Sequence, residues 1–146
     1  MEITIATSSD LDQLVMLFDG YRVFYEQTSD PASARSFLFE RLDRGQSVCL
    51  ICKNEHGQAV GFTQLYPSYS SVSLQHTWIL NDLYVDPDFR GLGAGKALLL
   101  AAQEYAKSDG AKGLTLETAI NNPAQKLYES LGWEKDTDVF HYTWKV

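Results

Sequence analysis

The sequence of 146 residues contains no apolar run that could cross a bilayer, which takes about 20 mostly apolar residues in succession. The opening "MEITIATSSD" lacks the charged start and apolar core of a secretory leader, so a cytoplasmic protein with no membrane partner is expected. Basic residues are scarce: 12 Lys and Arg stand against 19 Asp and Glu, for a formal net charge of −7. That balance argues against a nucleic-acid partner, which calls for a basic stripe. It suits a cationic substrate, although acidity also serves plain solubility. Cysteine is nearly absent. Cys49 and Cys52 form a C-x-x-C inside "SVCLICK", a strand-like stretch in which residues three apart point to opposite faces. A shared metal or a disulfide between them is therefore not expected, and a redox pair would open a helix. The pair reads as buried structural thiols. Repeats, low-complexity tracts and linkers are missing as well, which leaves one domain over residues 1–146.

Several periodic segments are present. "EITIAT" reads as a strand. Ser8 or Ser9 can cap a helix carrying Leu11, Leu14, Val15, Phe18 and Tyr21 on one face. Asp30-Pro31 opens a second helix with Ala34, Phe37, Leu38 and Leu42, and Gly45 stops it. "SVCLICK" and "QAVGFTQLYP", joined by "NEHG", read as a hairpin, and "SLQHTWILNDLYV" as a longer strand ended by Pro87. Residues 92–108 form a helix with Ala94, Ala97, Leu98, Ala101 and Tyr105 inward. "GLTLET" is a strand, Asn122-Pro123 opens a helix through Leu131, and the alternating tail "VFHYTWKV" is a final strand. The order β-α-α-β-β-β-α-β-α-β predicts an α/β fold: a mixed, mostly antiparallel central sheet with helices on both faces.

"RGLGAG", residues 90–95, sits between a strand and a helix. A phosphate-binding P-loop would need glycine at Arg90 and Ser or Thr at Ala97, and the dinucleotide pattern G-x-G-x-x-G is not met either. What remains is R-x-x-G-x-G running into a helix. Its glycines let successive N–H groups turn toward one point at the positive end of the helix dipole, a fit for a diphosphate. A tight turn with glycines for steric reasons is the other reading.

"VDPDFRGLGAGKALL" resembles the acyl-CoA-binding segment of the Gcn5-related N-acetyltransferase (GNAT) superfamily, Q/R-x-x-G-x-G/A, in Arg90, Gly93 and Gly95. "NNPAQKLYESLGW" resembles that superfamily's later signature in Asn121, Ala124, Tyr128, Gly132 and Trp133. The resemblance extends to the strand order over nearly the whole chain. It implies acetyl-CoA as cofactor, its pyrophosphate held by the loop Arg90, Gly91, Leu92, Gly93, Ala94, Gly95 and Lys96. It also implies a pantetheine arm paired to Leu83, Tyr84 and Val85, with Asn121, Ala124 and Tyr128 beside it. The strands before and after the glycine helix would splay to admit the arm.

Acetyl transfer needs a neutral amine, and an alkyl amine with a pKa near that of lysine, about 10.4, must first lose a proton. A strand N–H near Leu83 or Tyr84 would meet the oxyanion. Tyr128, matching the family's tyrosine, would return a proton to the leaving sulfur, unless it is a core aromatic. "LNDLYV" resembles the L-E-D strand of polyamine-type members, but Asn81 replaces their glutamate, and an amide takes no proton. The remaining candidates for the base are Asp82, which needs a bulge to redirect it, Glu117, and a water held by Asn81. Tyr21, Arg22, Tyr25, Gln64, Tyr66 and Trp78, with Tyr69 and His141 near, are candidates for the acceptor pocket: aromatics for an ammonium, Arg22 for a carboxylate. The acceptor is expected to be a small-molecule primary amine such as an amino acid or polyamine. The alternatives are a peptide lysine, a protein N-terminus, or a non-catalytic acyl-CoA sensor. The tail also makes a homodimer possible, by strand pairing across a two-fold axis.

Overall fold

The computed structural model describes all residues, 1–146. Its strands are β1 (Glu2–Ile5), β2 (Val48–Lys53), β3 (Ala59–Ser70), β4 (Gln75–Val85) and β5 (Leu114–Thr115). Its helices are α1 (Leu11–Phe24), α2 (Pro31–Asp43), α3 (Ala94–Ser108) and α4 (Gln125–Ser130). The strands lie side by side in the order β1-β2-β3-β4-β5. The first three junctions are antiparallel and β4–β5 is parallel.

Helix ends follow the side chains present. A 3-10 turn over Ser8–Asp10 moves the first cap from Ser8 or Ser9 back to Thr7, whose N–H donates to Asp10 Oδ2 at 2.8 Å. Asp30 Oδ1 accepts from the Ser33 N–H at 3.0 Å ahead of Pro31. Gly45 ends α2's extension with φ +61, a conformation glycine adopts without strain.

α1 and α2 cover one face of the sheet, packing Leu14, Phe18 and Leu38 on Cys49, Ile51 and Phe62. α3 covers the other, packing Leu98, Leu99 and Ala102 on Leu50, Cys52, Val60, Leu65 and Leu80. Cys49 and Cys52 thus lie on opposite faces, both free and buried. The buried stripe of α3 runs through Ala94, Leu98, Leu99, Ala102 and Ala106, while Ala97, Ala101 and Tyr105 sit at its margin. The stripe is rotated from the expected one because Leu99 is pulled into the core.

Between β3 and β4 the register slips: Gln64 faces Asp82, but Leu65 faces Leu80, leaving Asn81 as the extra residue of a bulge. Trp78, Leu80, Leu83 and Val85 all contact the α3 core, whereas Tyr84 contacts the α1 core. The bulge reverses the alternation and turns Asp82 toward α1.

Three sequence expectations shrink. The "GLTLET" strand keeps only Leu114–Thr115. The last helix begins at Gln125, after a turn through Asn122. "VFHYTWKV" forms no strand: residues 134–146 make no backbone hydrogen bond.

Candidate active site

The loop between β4 and α3 is built from backbone donors. Asp86 leads through the 3-10 turn Pro87–Phe89 into Arg90, and Gly91 and Gly93 adopt φ +77 and +91. The N–H groups of residues 91–96 have no acceptor within the chain, and no side chain caps α3. Six consecutive free donors at the positive end of a 15-residue helix form an anion cradle. A Cβ on Gly91 or Gly93 would meet no neighbour within 4 Å, so those glycines answer to backbone conformation and not to crowding.

β4 and β5 pair only at Trp78–Leu114 and Ile79–Thr115. Beyond that point they part, and Leu83, Tyr84 and Val85 face Leu116, Glu117 and Thr118 across a cleft of about 450 Å³ that runs to the glycine loop. The expected splay is present. Arg90, Gly91, Gly93, Ala94, Gly95 and Lys96 line the loop end, and only Leu92 points away, 63% exposed. Arg90 Nε donates to the Val85 carbonyl at 3.0 Å, and its guanidinium lies 5.7 Å from the Tyr84 ring and 5.6 Å from the Phe24 ring. Tyr84 in turn abuts α1, where a Cβ on Gly20 would come within 2.8 Å of its hydroxyl.

Tyr128 lies on the cleft wall with Ala124. Burial, with nearby Tyr25 adding to it, raises its phenol above the ordinary tyrosine value, and Thr118 opposes the shift. A phenol so placed stays protonated and can donate. Asn121 is exposed and outside the cleft. Its neighbour Asn122 lines the cleft, accepting from the Ala124 N–H at 2.9 Å and donating to Thr118 Oγ1 at 2.9 Å. The Asn-Pro pair that marks the turn was the available signal for Asn122.

The carboxylates separate. Glu117 is the only acid on the cleft wall, exposed and 3.1 Å from His141 Nδ1. Asp82 is 3% exposed and outside the cleft, since the bulge carries it behind the wall. There it accepts from Gln64 Nε2 at 2.6 Å and from Asn81 Nδ2 at 2.9 Å. Asn81 itself lines the cleft. Burial and the adjoining Asp82 carboxylate hold the Tyr21 phenol well above its usual range.

Of the acceptor candidates, Tyr21 and Tyr25 reach the cleft, joined by Phe24 from the same run "YRVFY". The others do not. Arg22 turns to Asp19 at 3.7 Å and the Thr28 carbonyl at 3.4 Å. Gln64 is fully buried on Asp82, with Cys49 Sγ donating to its Oε1 at 3.6 Å. Tyr66 lies half-buried on the α1 side, where burial first and then the Asp82 charge push its phenol to about 12. Trp78 faces α3, its indole N–H donating to Asp109 at 2.9 Å and its ring edge-on to Tyr105. Tyr69 is exposed, outside the cleft.

A sheet opened between its fourth and fifth strands, with an anion cradle at the mouth of the gap, is the build of an acyltransferase. The chain belongs to the Acetyltransferase (GNAT) family, whose model matches residues 14–133. It is similar to the N-acetyltransferase YhfO of Bacillus subtilis (strain 168), 49% identical over 147 aligned positions that cover 100% of this chain and 98% of that one. A Haemophilus influenzae protein named a probable acetyltransferase is 28% identical over 88% of this chain and 97% of its own. A crystal structure of "a probable acetyltransferase" superposes with a TM-score of 0.95 at 40% identity, covering 100% of this chain and 98% of that chain. The protein is therefore an acyltransferase.

Proposed function

We propose that the enzyme moves an acetyl group from acetyl-CoA to the primary amine of a small molecule, by direct attack with both substrates bound. The observation that carries this reading is the run of unpaired N–H groups at 91–96 opening on a cleft with Tyr128 on its wall. The donor supplies an electrophilic thioester carbonyl. The loop amides hold its pyrophosphate, Lys96 adds charge there, and the parted edge of β4 at Leu83–Val85 receives the arm.

Glu117 takes the proton from the incoming ammonium, being the only carboxylate that faces the cleft. It also recruits the cation, with the aromatic rings of Tyr21 and Tyr25 lining the same cleft. Asp82 serves structure instead, fixing Gln64 and Asn81. Tyr128 returns a proton to the leaving sulfur, its phenol being held protonated in the cleft by burial. The cleft wall formed by the end of α1 favours a compact amine over an extended peptide.

The test is thiol release from acetyl-CoA against a panel of amino acids, polyamines and lysine peptides, with calorimetry on coenzyme A. Turnover with a small amine and none with the peptides is expected. Binding without release for any amine would make the protein an acyl-CoA sensor. Turnover restricted to peptides would make it a protein acetyltransferase. Absence of coenzyme A binding would remove the whole reading.

A further inference from the structure

Past Tyr21, helix α1 leaves the core. Its buried residues end at Asp19, and Val23, Phe24 and Tyr25 are 48%, 61% and 55% exposed. This last turn overhangs the cleft, where Phe24 and Tyr25 join Tyr21 on the wall. The helix is capped at Tyr25, and the next residue, Glu26, takes φ +63, a left-handed conformation uncommon outside glycine. Burial therefore does little to fix the Tyr25 ring. Its neighbours are the rings of Tyr21 at 5.0 Å and Phe24 at 5.2 Å, both met edge-on.

Phe24 is held from outside its own helix. Arg90, on the loop ahead of α3, sets its guanidinium 5.6 Å from the Phe24 ring and 5.7 Å from the Tyr84 ring, within cation–π reach of both. Its Nε is committed to the Val85 carbonyl at 3.0 Å. Both rings bear on α1, because Phe24 belongs to it and the Tyr84 hydroxyl abuts it at Gly20. Arg22, Arg35, Arg41 and Arg44 each pair with a carboxylate, whereas Arg90 pairs with none. Acids are at hand in its own loop, but Asp86 accepts from the Asp88 N–H at 2.9 Å instead. A planar cation set against two rings, with one N–H fixed on β4, is a bracket between elements. A lysine on a flexible stem cannot replace it.

We propose that Arg90 is a positioning residue for the amine side of the cleft. By bridging Phe24 to β4 it holds the last turn of α1, and with it Tyr25, where the wall fits a compact amine. This rests on the reading of that wall as the amine site. One side chain thus serves both substrates: it stands in the donor segment and sets the fit of the acceptor. The bridge also accounts for Phe24, an exposed apolar ring at a helix end that belongs to neither hydrophobic core.

Hydrogen exchange on the free protein tests the bridge, in the parent, in Arg90→Lys, in Phe24→Leu and in the two combined. Lysine keeps the charge and loses the planar fork, so it rescues a role of charge alone and fails to rescue a bracket. Each single variant is expected to speed exchange at the Phe24, Tyr25 and Glu26 amides about two- to fivefold, the strength of an exposed cation–π contact. The double variant should add little to either. The KM of an amine that the parent acetylates should rise by a similar factor, and by more than the calorimetric Kd for coenzyme A. A lysine variant that matches the parent in exchange and in amine KM overturns the proposal. Weaker coenzyme A binding with unchanged exchange also overturns it, making Arg90 a phosphate ligand only. So do effects of the two substitutions that simply add, because the residues would then act separately. Exchange is read without substrate, so the failure of every amine would remove the proposed reaction while the bridge was still judged.

Discussion

Gln64 donates its side-chain amide to Asp82 Oδ2 at 2.6 Å across the β3–β4 junction, at the point where the register slips by one residue. Both residues are buried, and no cation balances the carboxylate. Gln64→Leu takes one of its side-chain donors and is expected to cost about 1–3 kcal/mol. Urea unfolding near neutral pH measures it. Asn81 and the donor loop lie on the other side of the wall, so binding of coenzyme A should change far less than stability does.

Gly93 holds φ +91 with open space beyond its missing Cβ. Gly93→Ala should therefore act through backbone strain, about 1–2 kcal/mol, and relax the loop. The KM for acetyl-CoA is expected to rise at least tenfold, with a smaller change in kcat. A variant with an unchanged donor KM would mean that the loop does not seat the phosphates.

Tyr128→Phe should lower kcat by about a hundredfold or more, with little effect on the KM of the amine. The raised phenol of the parent keeps its proton beyond the ordinary value of about 10. The alkaline limb of its kcat profile should accordingly not begin below that pH. Full turnover by the variant would leave Tyr128 as a wall residue only.

Asp10 accepts from Lys53 Nζ at 2.5 Å and from Thr7, which together hold its carboxyl below the usual value. A folded pKa depressed below the unfolded one, about 3.9, gives stability that is complete above that value and is lost as pH falls through the folded pKa. Lys53→Met should flatten this part of the acid limb. Urea midpoints measured from pH 6 down to pH 3 for parent and variant would show it, and parallel curves would contradict it.

Much of this arrangement is legible in the residues. Arg90, Gly93 and Gly95 announce the cradle, because backbone conformation at glycine is a local property. Leu11, Leu14, Val15 and Phe18 announce the buried face of α1 through their spacing, and the cysteines announce their opposite faces by strand parity. What escapes is set between elements. The side on which Asp82 lies depends on a slip between two strands, which neither strand encodes alone. Trp78 and Gln64, candidates for the acceptor pocket, lie outside the cleft because the packing of α3 and the Asp82 carboxylate claim them, and neither is visible along one strand. The tail strand carries its pattern plainly, but a pattern names no mate.

The close approach of Gly20 to the Tyr84 hydroxyl has an evolutionary corollary. Any side chain at position 20 would tilt the ring that steadies Arg90, and so would disturb the donor grip from across the sheet. Descendants of this sequence can trade Tyr25 to suit a new amine, but position 20 is closed to that kind of drift.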